Sequence, residues 1–260
     1  MKIGVVGLGL IGGSIFKSLK ALSYDVIGVS NSQTGENISS DWSMLSDCSI
    51  VFVCSPMNKI ISDLKKLEQY VSEDTIVSDV ASLKEFVVKE KYNYNFVPSH
   101  PMAGTEFSGF ENSFEGLFKG AKWVLTPLNN IVPDELKQVI VAMGAKIVVT
   151  TPVEHDEAVA LISHMPLVLS QALFLTSDDN ELAKRLASSG FRDMTRLALS
   201  SEEMACDMVK MNSSNIQKSL LKLYSNIGSL IKENYPEKIH DIKVKRSMMY
   251  KDGVNNYPCE

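Results

Sequence analysis

Hydrophobic and polar positions follow two different patterns along the chain, and the change falls near residue 152. Before it, short β-branched runs are separated by stretches such as 60–70, where apolar residues recur three or four positions apart as in a helix. Several runs, including 50–53, are apolar on both faces, which is typical of parallel strands covered by helices. The predicted strands are 2–6, 25–29, 50–54, 75–79, 95–98, 123–126 and 146–149. This pattern predicts an α/β fold with a Rossmann-like, doubly wound domain over residues 1–152.

Beyond residue 152 the strand-like runs disappear, and the pattern predicts helices at 153–176, 180–188 and 202–233. The last one carries a heptad-like apolar stripe that includes Met204, Met208, Leu220 and Leu223. Such a stripe often supports dimerisation, although a Met-rich stripe also suits an ordinary core. We therefore predict an all-helical substrate and dimerisation domain over residues 153–260. The polar segment from Lys243 onward lacks periodicity and is expected to be partly disordered.

Composition and charge exclude several classes of function. A net charge of −5 leaves no basic face for nucleic acid. The four cysteines form no CxxC pair, which favours reduced thiols in a cytoplasmic protein, and the four histidines show no HExxH spacing, so no metal site is predicted. The apolar N-terminus is similar to a signal peptide, but its glycines would weaken a helix there and it is too short to span a membrane. We predict a soluble protein with no membrane partner.

A glycine-rich turn follows the first predicted strand and leads into a helical pattern. Its GxGxxG motif consists of Gly7, Leu8, Gly9, Leu10, Ile11 and Gly12. The motif alone is a weak signal, but a strand before it and a helix after it are what a dinucleotide site requires. The first glycine permits the tight turn, the second lets the pyrophosphate approach the backbone, and the third lets the helix pack closely on the strand. The helix N-terminus offers N–H donors to the phosphates.

The tip of the second predicted strand favours NADP over NAD. An NAD site usually ends this strand with Asp or Glu, whose carboxylate binds the ribose hydroxyls. No carboxylate lies at the tip here, and Ser30, Asn31 and Ser32 can donate hydrogen bonds to a 2′-phosphate. The arginine that often accompanies a 2′-phosphate is missing too, so NAD stays the alternative cofactor.

Three more predicted strands end in residues suited to ligands, at the carboxyl edge where ligands gather in such sheets. Cys54, Ser55 and Pro56 end the third strand, where the backbone is expected to pass the adenosine half of the cofactor; a plain turn is the alternative. Ser82 follows the fourth strand and His100 follows the fifth. A histidine at this edge can accept an alcohol proton during hydride transfer, because its ordinary pKa lies near working pH.

Six short motifs occur in order along the chain: GLGLIGGS at 7–14, DVASLK at 79–84, HPMAGT at 100–105, TPVEHD at 151–156, SHMP at 163–166 and SGFRDMTR at 189–196. With these motifs the chain resembles the prephenate/arogenate dehydrogenases of tyrosine biosynthesis over nearly its whole length. The resemblance implies oxidative decarboxylation of a cyclohexadienol that bears a 4-hydroxyl and a ring carboxylate. Hydride leaves the hydroxyl-bearing carbon for the nicotinamide, and loss of CO2 makes the ring aromatic.

The resemblance also implies roles for individual residues. His100 is the catalytic base, and Ser82 is the second contact to the 4-hydroxyl. Arg196 binds a substrate carboxylate, with Arg192 as a nearby competitor whose alternative role is an ion pair with Asp193. Within and beside the HPMAGT motif, Met102 is expected at the cofactor, Thr105 at the substrate and Glu106 at the mouth of the pocket. His155 and His164 are expected to form hydrogen-bonding scaffold at the domain junction.

One position departs from the family pattern. Many members that use prephenate have a second histidine directly after the proline of the SHMP motif, and this chain has Leu167 there. The change favours arogenate, which carries an amino group where prephenate has a keto oxygen, and it agrees with the NADP-like strand tip. The expected protein is a monofunctional, homodimeric arogenate dehydrogenase. Prephenate dehydrogenase, a β-hydroxyacid dehydrogenase and a non-catalytic NAD(P)-sensing protein are the alternatives, although no lysine motif of the β-hydroxyacid enzymes was found.

Overall fold

A computed structural model describes residues 1–105, 107–232, 235–251 and 254–255. The strands are β1 (Lys2–Val6), β2 (Asp25–Val29), β3 (Ile38–Ser39), β4 (Ile50–Val53), β5 (Ile76–Asp79), β6 (Asn95–Phe96), β7 (Ser99–Pro101), β8 (Lys122–Leu125), β9 (Lys146–Val149), β10 (Tyr250–Lys251) and β11 (Val254–Asn255). The α-helices are α1 (Leu10–Ala21), α2 (Met57–Leu67), α3 (Asp134–Ala142), α4 (Pro152–Val159), α5 (Met165–Asp178), α6 (Glu181–Leu186), α7 (Ser189–Thr195), α8 (Glu202–Met211), α9 (Ser213–Lys232) and α10 (Tyr235–Met249).

Six strands form a parallel sheet in the order β3-β2-β1-β4-β5-β6. The chain winds outward from β1 in one direction and from β4 in the other, so the strand order reverses between these two strands. All four residues of β4 are fully buried, because one core cluster packs against each face of the sheet. The predicted Rossmann-like domain is therefore confirmed.

A second sheet lies beside the first and corrects one sequence prediction. The predicted strand 95–98 is shorter and ends at Phe96, and the chain then forms β7, which contains His100. Strand β7 pairs antiparallel with β8, and β8 pairs parallel with β9. Trp123 of β8 packs edge-on against Phe52 of β4 at 5.9 Å between ring centroids, which joins the two sheets in one core. His100 thus lies within a paired strand, not in a loop at the end of a parallel strand.

The second half is helical, as predicted, except for the short antiparallel pair of β10 and β11, and its helices are broken more often than the pattern suggested. The predicted helix 202–233 consists of α8 and α9, which separate at the buried Asn212. The predicted helix 153–176 is α4 and α5 joined by a π-turn, Ala160–His164, directly before Pro166. Proline lacks an N–H and its ring clashes with a preceding carbonyl in a regular helix, and the widened turn accommodates it. The segment 243–249, which was expected to be irregular, continues α10.

The stretch Pro152–Asp178 is long and apolar enough to span a membrane by length and composition alone, and only 28% of its most apolar window is buried. Its two helices and π-turn nevertheless bury His155, Asp156 and His164. Much of the remaining apolar surface of the helical half is open, including Leu175 and Leu221, each about 70% exposed. Exposed apolar surface of this extent is typical of a site of interaction with another surface.

Candidate functional site

A cleft of about 1420 Å³ lies where the sheet edge faces the helical half. Residues that end or follow β1, β2, β4 and β5 line one side, and Arg196 and Met208 belong to the other side. The cleft therefore opens at the carboxyl ends of the strands, next to the point where the strand order reverses. A ligand-sized pocket usually measures roughly 300–1000 Å³, so this cleft has room for a dinucleotide and a small ring together.

The glycine loop has the geometry of a phosphate cradle. Gly7 has a φ of +84°, which favours glycine, and a Cβ at Gly12 would lie 1.9 Å from the carbonyl oxygen of Gly7. Gly9 faces open space, since a Cβ there would meet no heavy atom within 4 Å. Gly9 caps α1 without a side-chain hydrogen bond, so the first N–H groups of the helix are open to a ligand. Leu8, Leu10 and Ile11 line the cleft beside it, whereas Gly12 serves the packing of helix on strand.

The tip of β2 is a turn organised by Ser30. The buried Ser30 hydroxyl accepts hydrogen bonds from the N–H groups of Ser32 at 3.3 Å and Gln33 at 3.1 Å. Asn31 and Ser32 are exposed at the cleft. Glu36, the nearest acid along the chain, pairs instead with Lys20 at 2.9 Å on the surface. The tip thus presents hydroxyl and amide groups and no carboxylate to this end of the cleft.

Two lysines line the same cleft as the tip of β2, and neither was predicted from the sequence. Lys59 and Lys66 both lie on α2, and the ammonium of Lys66 lies 4.2 Å from the ring centroid of Trp42. Cys54, Ser55 and Pro56 lead into this helix and also line the cleft, with the Ser55 hydroxyl donating to the Asp63 carboxylate. Burial raises the pKa of the Cys54 thiol, so that side chain stays neutral.

His100 lines the cleft, and its ring is the first member of a chain of hydrogen bonds. Its Nδ1 lies 2.9 Å from Nε2 of His155, and Nδ1 of His155 lies 2.7 Å from Oδ1 of Asp156. The two carboxylate oxygens of Asp156 also accept the backbone N–H groups of Lys84 at 2.8 Å and Glu85 at 2.9 Å. Asp156 on α4 therefore links His155, and through it His100, to the loop after β5.

A buried ion pair lies beneath this chain. The Lys84 ammonium contacts the Asp79 carboxylate and donates to the Ser99 carbonyl at 2.6 Å, and both charged side chains are fully buried. Burial raises the pKa of Asp79 and lowers the pKa of Lys84, and their attraction opposes both changes. Ser99 immediately precedes His100, so the pair also holds the strand that carries His100.

The surroundings of His100 favour its neutral form. Burial is the largest cause that holds the pKa of His100 well below 6.5, followed by the neighbouring His155, Lys84 and His164. Burial likewise lowers the pKa of His164 to about 4. A neutral imidazole at physiological pH retains the lone pair that a general base needs.

The structure brings most of the predicted substrate residues into this cleft. Half-buried Ser82 and exposed Thr105 and Arg196 all line it with His100. Met102 is not among the lining residues; its N–H donates to the carbonyl of Lys122 at 2.8 Å. Glu106 lies outside the described residues.

Arg192 and Leu167, which the sequence analysis also named, lie in different surroundings. Arg192 is exposed and its Nε lies 3.3 Å from the Asp193 carboxylate, as its alternative role required. Leu167 is buried against Ala205 and Met208 and reaches the cleft wall.

Sequence reasoning missed the direct contact between His155 and His100 and the function of Asp156 as its support. The signal was present in the TPVEHD motif, where a histidine and an aspartate are adjacent at the start of a helix. Adjacent residues on a helix face different directions, so spacing alone did not suggest that both reach the site. The contact comes from the way α4 docks on the loop after β5.

Comparisons with known protein families divide the chain in the same way as its fold. A family model described as "Prephenate dehydrogenase, nucleotide-binding domain" matches residues 30–149. A second, "Prephenate dehydrogenase, dimerization domain", matches residues 151–242. The first match begins after the glycine loop, so the loop is assigned on its own geometry.

Individual relatives agree with these matches. A prephenate dehydrogenase of Bacillus subtilis is 31% identical over 82% of this chain, and the chain spans 64% of that protein's length. The crystal structure of Synechocystis arogenate dehydrogenase is 34% identical, covers 95% of this chain and 98% of its own, and superposes with a TM-score of 0.81. A prephenate dehydrogenase from A. aeolicus, solved with hydroxyphenyl propionate and NAD+, is 28% identical with a TM-score of 0.83 over 96% of this chain and 98% of its own. The chain belongs to the prephenate/arogenate dehydrogenase family.

Proposed function

We propose that this chain is an arogenate dehydrogenase that oxidatively decarboxylates arogenate to tyrosine with NADP as hydride acceptor. The observation that carries the proposal is the meeting of neutral His100 with Ser82, Arg196 and the glycine loop in one cleft. A non-catalytic cofactor sensor would have no need for a base, a hydroxyl contact and a carboxylate partner around the same space. Membership of a dehydrogenase family supports turnover as well.

The residues present fit a nicotinamide dinucleotide, because Gly9 is open and the first N–H groups of α1 are uncapped. When bound, the nicotinamide supplies the acceptor for hydride. His100 accepts the proton of the substrate 4-hydroxyl at Nε2 as hydride leaves the same carbon. The bond to the ring carboxylate then breaks, its electron pair enters the ring, and the oxygen regains a proton as the phenol. Because aromatisation drives this step, the protein mainly aligns the groups and stabilises charge.

Ser82 and Arg196 fix the substrate in this scheme. The Ser82 hydroxyl lies after β5 on the same side as His100 and bonds the 4-hydroxyl. Arg196 begins the 3₁₀ turn Arg196–Leu199 in the helical half and binds a carboxylate from the opposite wall. A planar guanidinium suits bidentate pairing with a carboxylate, so it sets the orientation of the ring.

The preference for arogenate over prephenate rests on Leu167. This side chain is apolar and buried at the cleft wall, where it offers no hydrogen bond to the keto oxygen of prephenate. The sequence identity of 34% to the Synechocystis arogenate dehydrogenase also supports arogenate as the substrate. The prephenate dehydrogenases among the relatives keep prephenate as the second candidate.

The preference for NADP rests on charge at the tip of β2. No carboxylate is present there to repel a 2′-phosphate, and the exposed ammonium groups of Lys59 and Lys66 belong to the same cleft. The hydroxyls of Ser30 and Ser32 provide hydrogen-bonding partners. The A. aeolicus relative was solved with NAD+, and NAD is the second candidate cofactor.

We further propose a cytoplasmic homodimer assembled through the helical half. Exposed Leu221, Tyr224 and Ile231 lie three to seven residues apart on α9 and form one apolar face, which we call the α9 face. The family model that matches this half is described as a dimerization domain. The described cysteines Cys48, Cys54 and Cys206 are free thiols, as expected for a reducing compartment.

Initial rates with arogenate and prephenate, each with NADP and with NAD, test the proposal. The expected order places arogenate with NADP first in kcat/KM. A higher kcat/KM for prephenate would overturn the reading of Leu167, and a higher kcat/KM with NAD would overturn the reading of the β2 tip. Absence of turnover in all four pairs, with cofactor still bound in a fluorescence titration, would contradict the dehydrogenase assignment itself.

A further inference from the structure

The hydrogen bonds around His100 determine where its own proton sits. A carboxylate only accepts hydrogen bonds, and Asp156 already accepts two backbone N–H groups from Lys84 and Glu85. Nδ1 of His155, 2.7 Å from the same carboxylate, must therefore be the donor to it. In its neutral form, His155 then has only a lone pair on Nε2, and this atom lies 2.9 Å from Nδ1 of His100.

With His155 in that form, Nδ1 of His100 carries the proton and donates it to His155, and Nε2 of His100 carries the lone pair. The Nδ1–H tautomer is the less favoured form of a free imidazole in water, so without a partner His100 would mostly hold its proton on Nε2 and could not accept another there. The chain from Asp156 through His155 reverses this preference before substrate binds.

We propose that His155 and Asp156 are positioning residues that hold His100 in its base-competent tautomer and take up the charge of the proton it accepts. The proposal rests on the function proposed above for His100. When the substrate proton binds Nε2 of His100, the proton on Nδ1 passes to Nε2 of His155. The product is a neutral His100 and an imidazolium at His155, beside the carboxylate of Asp156. One proton enters the chain and none is lost, so the step balances.

The charges that face His155 from the surrounding elements favour this arrangement. Asp156 on α4 is in contact, and Lys84 and Asp79, on the β5 side, form a closed ion pair beneath the chain. His164 on the π-turn stays neutral because burial lowers its pKa to about 4, and its Nδ1 is engaged by the Asn212 amide at 3.1 Å. Asp156 is the carboxylate in contact with His155 that can balance a new charge there.

Nitrogen NMR of ¹⁵N-histidine protein tests the tautomer without any turnover. The signals of the four histidines are assigned by substituting each in turn, and His240→Gln, at an exposed position on α10, also serves as the control. In the wild type, Nδ1 of His100 is expected as the protonated nitrogen. His155→Gln keeps an oxygen acceptor for that proton and should retain the tautomer, whereas His155→Leu should shift it to Nε2.

Kinetics separate positioning from general damage to the fold. His155→Leu should lower kcat about 100-fold, since correct placement of a base contributes roughly 10²–10⁴, with substrate KM and cofactor affinity within about threefold. His155→Gln should lower kcat only about tenfold. Glutamine keeps the tautomer of His100 by accepting its hydrogen bond, but it cannot take up the proton from Nδ1 of His100. Equal kcat losses in both variants, or matched rises in KM, would indicate a structural role and overturn the proposal.

The wild-type spectrum decides the matter even if a variant fails to fold. A proton on Nε2 of wild-type His100 would overturn the positioning of the tautomer outright. If instead the tautomer is as expected but neither arogenate nor prephenate is turned over, the proposed function fails while the geometry of the chain stands. The two failures are therefore distinguishable.

Discussion

The two halves of the molecule bury their apolar side chains to very different extents. The nucleotide-binding half encloses two large clusters, one on each face of the parallel sheet, with side chains such as Phe52, Leu64 and Trp123 fully buried. The buried cluster of the helical half, within the described residues, consists of Leu167, Ala205 and Met208. A sheet covered by helices completes its core within one chain, whereas single-layer amphipathic helices leave one face open.

The polar residues of the site, by contrast, come from both halves. The sheet half carries the glycine loop, Ser82 and His100. The helical half contributes Arg196 to the same cleft, and His155 and Asp156 to the hydrogen bonds of His100. In the proposed mechanism the half with the larger core supplies the base, and the half with the more exposed apolar surface completes the site. Four predictions test this division, in order of decreasing effect.

Removal of the base should have the largest effect. His100→Asn should lower kcat about 10³-fold, because the amide cannot accept the substrate proton. Cofactor affinity, measured by nucleotide fluorescence, and the oligomeric state should not change, with His240→Gln as the matched control. If His100→Asn turns over arogenate and prephenate at the wild-type rate, the mechanism proposed here is wrong.

Acidification should destabilise the folded protein through His164. Its folded pKa of about 4 lies below the ordinary 6.5, so the unfolded chain binds more protons between these values and stability falls as pH drops through this window. The loss from this group is about 3 kcal/mol by pH 4, and it is absent above pH 6.5. Urea unfolding at pH 7 and pH 4.5 measures it. His164→Gln should flatten the pH dependence, and an unchanged slope in that variant would assign the effect to other groups.

Loss of the carboxylate partner should act mainly on substrate binding. Arg196→Ala should raise the substrate KM about 30-fold, since a hydrogen bond to a charged group contributes roughly 1.5–3 kcal/mol. Arg192→Ala is the control, because Arg192 is exposed and pairs with its neighbour Asp193. Steady-state kinetics measure both variants. Equal KM values for Arg196→Ala and the wild type would remove Arg196 from the substrate site.

A charge on the α9 face should weaken the dimer. Leu221→Glu should raise the dimer dissociation constant about tenfold, because burying a leucine is worth roughly 1.5–3 kcal/mol. Analytical ultracentrifugation measures the change, with Lys222→Glu on the neighbouring exposed position as the control. If the wild type is a monomer at micromolar concentration, the proposed dimer is wrong. The helical half would then be stable with the α9 face exposed.

The sheet half was predictable from sequence because its signals are local. Five residues of β1, a glycine turn and a helix are specified within about twenty positions, and β1 and β2 have the predicted bounds. The split between β6 and β7 was not predictable, since it depends on β8 pairing with residues more than twenty positions earlier. Periodicity cannot report such a distant partner.

The breaks in the helical half have a similar cause. Asn212 separates α8 from α9, and its side chain donates to the carbonyl of Asp156 at 2.9 Å, more than fifty residues away. The apolar stripe continues across the break, so the pattern indicated one helix. His155 was predicted as hydrogen-bonding scaffold at the domain junction, but its contact with His100 was not, because the docking of the two halves brings these residues together.

The carboxylate of Asp156 has a mechanical consequence. It holds the backbone of Lys84 and Glu85 on one half while anchored in α4 of the other, and it is also the end of the hydrogen-bond chain to His100. A hinge motion that separated the two halves here would break the hydrogen bonds of Asp156 to Lys84 and Glu85. His100 would then no longer be held in the proposed tautomer. In the proposed mechanism, His100 would therefore be held ready to accept a proton only while the two halves stay joined at Asp156.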